Sequence, residues 1–137
     1  MKTINLNQLA FRWYILAFIS IIAISPGNAQ KTLYVANPPL GNDNNDGTSI
    51  DTPFENIQKA LDEAVSGVTT SIQVMGGTYK ERLTWKQPGT ANAPMILTNY
   101  SGQTVILDGK NATGSAKAMI EIFEKDYCTV KKLYIQN

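Results

Sequence analysis

The polar stretch from Gly41 to Thr48 has the composition of a calcium-binding loop. Five consecutive Asn and Asp side chains stand between two glycines, and calcium takes closely spaced oxygen ligands around a sharp turn. The EF-hand pattern is not met, because Asn42 occupies the place of the leading Asp and Pro53 that of the closing Glu. Asn and Asp also build turns without any metal. The sequence therefore favours a plain turn and leaves open whether the Asp43–Asp46 loop binds calcium.

The chain lacks the side chains of several common catalytic and metal sites. It contains no histidine and a single cysteine, which excludes Ser–His and Cys–His catalysis, histidine-based zinc sites and an internal disulfide within these residues. Cys128 lies in a strand pattern next to Val130, so we expect a buried and inert thiol.

The charged side chains that remain have structural interpretations. We expect Lys80-Glu81-Arg82 to be a solvated turn between strands, because the segment is entirely polar. Asp108 precedes a glycine and suits another turn. The acids near the end of the sequence are too scattered for a convincing metal shell: Glu121, Glu124 and Asp126.

Four aromatic side chains could stack on the ring of a ligand. They are Trp85, Tyr100, Tyr127 and Tyr134. Aromatic residues in strand patterns are more often core residues or cross-strand partners, and we expect that role here. The sequence thus assigns no catalytic residue and no cofactor-binding residue, and the existence of a metal site stays unknown.

These residues would be positioned by a series of short β-strands. Between Ser71 and Asn137, apolar runs of three to five residues alternate with turns rich in Gly, Pro, Asn and Asp. Ile72, Ile96 and Ile120 lie 24 positions apart, and a fixed period of about 20–50 residues is typical of a solenoid. We therefore predict stacked parallel coils with alternate side chains pointing inward. A β-sandwich, whose strands recur at about 8–12 residues, is the alternative.

One helix is predicted ahead of the coils, over residues 52–65. Thr52 would cap it, Pro53 fits its first position and Glu55 would complete a capping box. Apolar residues at spacings of three and four form one stripe, from Phe54 to Val65. Because an open solenoid end exposes apolar surface and strand edges, we expect this helix to be the N-terminal cap.

Residues 1–29 have the features of a secretory signal peptide. Lys2 and Arg12 are followed by an apolar run and a small-residue site ending at Ala29. Removal of this segment leaves 10 Lys and Arg against 11 Asp and Glu, so no basic field would attract nucleic acid or a membrane. We predict a cap region over 30–70 (strand, polar loop, amphipathic helix) and the first coils of a parallel β-helix over 71–137.

The order of several short segments resembles the N-terminal part of secreted, right-handed parallel β-helix proteins of the pectate-lyase type. These segments are Tyr34–Ala36, Gly41–Gly47, Thr52–Ala60, Val74–Arg82, Gly89–Ile96 and Val105–Gly109. The resemblance implies a mainly β fold with an N-terminal capping helix. It also implies a location outside the cell, in the periplasm or at the cell surface, and an acidic polysaccharide as partner.

The resemblance implies a polysaccharide lyase that cleaves uronic-acid polymers by β-elimination, with calcium in the parent protein. In that family the catalytic residues lie on later coils, and the sequence to Asn137 holds two to three coils without a C-terminal cap. We therefore expect this chain to be the front part of a longer protein and to be inactive alone. The alternative is a non-catalytic extracellular β-solenoid that binds glycans or surfaces.

Overall fold

The computed structural model describes residues 29–136, and almost all of the predicted signal peptide lies outside these residues. No helix within 29–136 is long and apolar enough to cross a membrane. The elements, in chain order, are β1 (Gln30–Val35), α1 (Ile57–Asp62), β2 (Thr69–Val74), β3 (Gly77–Tyr79), β4 (Leu83–Thr84), β5 (Met95–Asn99), β6 (Val105–Asp108), β7 (Ile120–Glu121), β8 (Cys128–Lys131) and β9 (Tyr134–Gln136).

The strands form three parallel sheets that the chain visits in turn. Strands β1-β2-β5-β8 make the first sheet, β3-β6-β9 the second and β4-β7 the third. Each strand pairs in parallel with its counterpart on the next coil. The predicted right-handed parallel β-helix is confirmed, with its first coils and its capping helix present, and the β-sandwich alternative is wrong.

Apolar side chains at matching positions fill the interior. On the first sheet, Leu33 is in register with Ile72, Ile72 with Leu97 and Leu97 with Val130. The first three are no more than 1% exposed and belong to one core cluster, against which Val130 also packs. Burial alternates along β2, and along β5 from Met95 to Leu97, as expected for strands with one face inside the coil. Thr98 departs from the alternation, because it is buried on the outer face.

The predicted repeat of 24 residues is wrong. Ile72 is in register with Leu97, one place beyond Ile96, and Ile120 pairs with Leu83 on a different sheet. Counterparts on the second sheet are 28 positions apart, as Gly77 and Val105 are. The register is set by which side chains face inward, whereas the turns between strands vary in length, so the coils have no common period.

The helix covers the first coil but is shorter than predicted. It spans Ile57–Asp62, with Asn56 at its N-cap and Glu63 at its C-cap, and it contacts β1, β2 and β4. Ile57, Ala60 and Leu61 are buried, whereas Val65 is 53% exposed and lies outside the apolar stripe. Residues 52–56 are not helical because they follow β1 as part of a loop and Phe54 forms a parallel bridge with Val35.

The register can be checked with two adjacent residues on β5. Leu97→Ala removes a fully buried side chain and is expected to lower the free energy of unfolding by about 2–5 kcal/mol. Ile96→Ala removes a half-buried side chain on the outer face and should cost at most about 1.5 kcal/mol. Urea unfolding of both variants measures the difference; equal costs would contradict the register.

Candidate functional site

The polar loop after β1 is held in place by its own carboxylates. Asp43 Oδ1 accepts hydrogen bonds from the backbone N–H groups of Glu55 and Asn56, at 2.9 and 3.0 Å. Its Oδ2 accepts another from the Asn56 side chain at 2.6 Å. Asp46 accepts from the Thr48 backbone and the Thr52 hydroxyl, and these bonds lower the pKa of Asp46. Both carboxylates therefore bond N–H and O–H donors of the chain.

The two glycines of this loop are required by packing. A side chain at Gly41 would strike the Ala36 carbonyl oxygen, and one at Gly47 would strike the Phe54 ring. Gly47 also has a positive φ of 67°, which glycine adopts without a steric penalty. The glycine spacing that made the segment resemble a calcium loop thus lets the chain lie close to β1.

The loop covers the outer edge of β1. The Tyr34 N–H donates to the Gly47 carbonyl at 2.8 Å, and the Tyr34 carbonyl accepts from the Phe54 N–H at 2.9 Å. These are the backbone groups of β1 that point away from β2, and an uncovered edge would present them to other strands. The polar loop is therefore an edge cap. The described residues contain no group of three or more Cys, Asp or Glu side chains placed to hold a metal ion.

Glu81 is buried, which corrects the predicted solvated turn. Its side chain is 6% exposed, and its two carboxylate oxygens accept from the N–H groups of Ile57 and Gln58, both at 2.9 Å. Glu81 thus satisfies the first turn of α1, a role that the sequence had assigned to Thr52 and Glu55. Burial raises the pKa of Glu81, and the two backbone hydrogen bonds oppose this shift only in part.

Gln58 completes the hydrogen bonding of the third sheet. Its Oε1 accepts from the Thr84 N–H at 2.8 Å and its Nε2 donates to the Thr84 carbonyl at 3.0 Å. The side-chain amide therefore takes the place that a neighbouring strand would have beside β4. Helix and coil bind each other reciprocally, because Glu81 caps the helix and Gln58 caps the strand edge.

A polar cleft of about 370 Å³ lies beside α1 and is lined in part by Asp43, Lys59, Asp62 and Arg82. Lys59 forms an ion pair with Glu63 and Asp62 forms one with Lys86. Asp43 and Glu81, which also line the cleft, accept hydrogen bonds from N–H groups of the chain. Each lining carboxylate thus has a partner within the described residues, and none forms a metal cluster.

The outer face of the first sheet carries a row of polar side chains. Tyr34, Gln73, Thr98 and Lys131 are in register on successive strands, and Gln73 Nε2 donates to the Ser71 hydroxyl at 2.9 Å. The ring of Tyr100 packs edge-on against that of Tyr34, with 6.0 Å between centroids. This face offers one aromatic pair, hydroxyl and amide groups and one cation to a ligand, whereas Thr98 itself is only 7% exposed.

The other residues singled out from the sequence lie in the core, at the surface and in turns. Trp85 is in the core and Tyr100 is half-buried. Tyr127 and Tyr134 are 56% and 66% exposed, so neither is a core residue, but Tyr134 is the cross-strand partner of Ile106. Asp108 forms the expected turn by accepting from the Lys110 N–H. Cys128 is a half-buried free thiol facing the interior, and the acids near the end of the sequence form no metal shell.

Comparison with known proteins agrees with this architecture. The chain is 39% identical over 95 residues to pectate lyase PEL9 of Emericella nidulans, an alignment that covers 68% of this chain and 22% of the relative. The resemblance to the pectate-lyase type of β-helix protein is confirmed. The chain is also 32% identical over 107 residues to the uncharacterized protein YwoF of Bacillus subtilis, covering 77% of this chain and 22% of that one.

A solved complex of XylC with xylose aligns with a TM-score of 0.50 at 25% identity, over 57% of this chain and 12% of that chain. No family model matches the sequence. The chain thus spans about a fifth of the length of the curated pectate-lyase-type relative that it matches.

Truncation of Glu81 tests its capping role. Glu81→Ala leaves the Ile57 and Gln58 N–H groups without their acceptors, and unsatisfied buried donors cost about 1–3 kcal/mol. The matched control is Glu55→Ala, at the exposed residue expected to cap the helix from the sequence, and it should change the free energy of unfolding by no more than about 0.5 kcal/mol. Urea unfolding measures both free energies. A larger loss for Glu55→Ala than for Glu81→Ala would support the capping box predicted from the sequence.

The buried carboxyl also predicts a pH dependence. Because the pKa of Glu81 is raised above its ordinary value of 4.5 in the folded chain, its contribution to stability is fully present below that value and falls as the pH rises through the raised pKa. Glu81→Gln cannot titrate. The unfolding free energy of the native chain minus that of this variant should therefore fall as the pH rises above 4.5. A difference that rises with pH would contradict the raised pKa.

Proposed function

We propose that this chain is the N-terminal scaffold portion of a secreted, carbohydrate-active β-helix protein, a polysaccharide lyase that acts on uronic-acid polymers. The observation that carries the proposal is the 39% identity to a pectate lyase, combined with a parallel β-helix whose register and helical cap are accounted for residue by residue. The proposal includes export from the cell, on the basis of the signal sequence over residues 1–29.

Within such a protein the first coils hold the sheet on which a polymer is bound. The row from Tyr34 to Lys131 lies on one outer face, and its rise of about 4.8 Å per strand is commensurate with an extended chain of sugars. Hydroxyl and amide groups can bond sugar hydroxyls, and the Lys131 ammonium can pair with a carboxylate. The scaffold thus presents one end of a binding face.

β-Elimination needs a base beside the acidic carbon and a charge that stabilises the developing anion. The outer face described above carries no carboxylate, and Asp43 and Asp46 bond donors of the chain itself, so these residues do not fit a calcium site. We therefore assign no catalytic step to residues 29–136. The base and the calcium site are proposed for coils beyond this chain.

The test is an assay of the whole protein encoded by the reading frame that contains this chain. With polygalacturonate and calcium, it is expected to produce unsaturated uronate, detected by ultraviolet absorbance, whereas residues 1–137 alone should produce none. Release of reducing ends without that absorbance would contradict the lyase and indicate a hydrolase. Binding of the polymer without cleavage would indicate a glycan-binding solenoid.

A further inference from the structure

The turns between the first and second sheets differ in length. Two residues join β2 to β3 and β8 to β9, whereas residues 100–104 join β5 to β6. A long turn stacked next to a short one leaves a recess beside the short turn. The recess here is a groove of about 500 Å³ whose lining includes Asn99, Gln103, Lys132 and Tyr134.

The long turn is fixed from the side of the first coil. Gln103 Oε1 accepts from the Gly76 N–H at 2.6 Å, and the Gly77 N–H donates to the Thr104 carbonyl at 3.0 Å. Asn99 Nδ2 donates to the Gln103 carbonyl at 2.7 Å. These bonds hold the wall of the groove in one conformation before any ligand arrives, which reduces the entropic cost of binding.

Tyr134 faces this groove from the outside of the coil. It is in register with Ile106, whose neighbours Val105 and Leu107 are buried. Because alternate residues of a strand point to opposite faces, Tyr134 lies on the outer face. Its position therefore follows from strand parity and not from its 66% exposure, since Ile135 on the opposite face is also 56% exposed. An additional coil stacked on β9 would not place the Tyr134 ring in the core.

The groove presents the groups that recognise an acidic sugar. Asn99 Oδ1 and Gln103 Nε2 form no hydrogen bond within residues 29–136 and can bond sugar hydroxyls. The Lys132 ammonium has no ion-pair partner among the same residues and can pair with a carboxylate. The Tyr134 ring supplies an apolar face, and sugar sites combine such a face with a few placed polar groups.

We propose that this groove is an auxiliary binding site for a uronate unit of an acidic polysaccharide, separate from the outer face of the first sheet. This deepens the proposed function and rests on it for the choice of polymer. The single cation matches the one carboxylate of a uronate, and the two amides and the ring match its hydroxyls and C–H groups.

The experiment is titration calorimetry of the full chain with trigalacturonate, with maltotriose as the neutral probe. The native chain should bind the acidic trisaccharide more tightly. Tyr134→Ala and Lys132→Gln should each weaken that binding about tenfold, which corresponds to about 1.4 kcal/mol, and Lys132→Gln should also reduce the preference for the acidic probe. Urea unfolding of each variant confirms that it is folded.

The matched controls are Tyr127→Ala and Lys110→Gln, since both residues are exposed and neither lines the groove. Their affinities should stay within about twofold of the native value, which is less than the tenfold loss expected for the two groove variants. Binding that survives Tyr134→Ala and Lys132→Gln, or no binding of trigalacturonate by the native chain, would overturn the proposal. The lyase assay tests the proposed function separately from the groove. If the whole protein cleaves the polymer by elimination but the groove variants bind as the native chain does, only the groove proposal is rejected.

Discussion

The structure depends on stacking buried side chains in register along parallel strands. Leu33, Ile72 and Leu97 meet at matching positions of three successive strands and exclude water from the interior. Burial of each such side chain contributes about 1.5–3 kcal/mol, and a shift of one residue would place all of them in solvent. The turns need only return the chain to the next position in that stack, so their lengths are free to vary.

This freedom explains what could be predicted from the sequence. Short apolar runs between turn residues were sufficient to predict strands and a capping helix, because both follow from local patterns, whereas the parallel coils were predicted from an apparent repeat and from the order of the segments that resembles the pectate-lyase type. The spacing of Ile72, Ile96 and Ile120 was misleading, since it assumed turns of equal length. The role of Glu81 was also missed, because its partners lie more than 20 positions away on α1 and no local pattern reports such a contact.

The candidate sites were likewise predictable only where they follow from local sequence. The polar loop was correctly expected to be a turn-rich segment, but its role as the edge cap of β1 depends on contacts from Gly47 and Phe54 to Tyr34. A signal for Tyr134 was present in the sequence: it lies between Leu133 and Ile135, and alternation in a strand would place it on the opposite face from both. The groove beside it depends on the unequal turns, which become visible only once the strands are paired.

The capped edges of β1 and β4 give the solenoid a direction of growth. The Gly47 and Phe54 backbone groups bond the outward-facing groups of Tyr34, and the Gln58 side chain bonds those of Thr84. A foreign strand therefore cannot pair with β1 or β4 at these residues. At the opposite end of the three sheets, β8, β9 and β7 are the strands on which new β-structure can be templated. In a cell that synthesises the chain from its N-terminus, this favours vectorial folding, with each finished coil acting as the seed for the one that follows it.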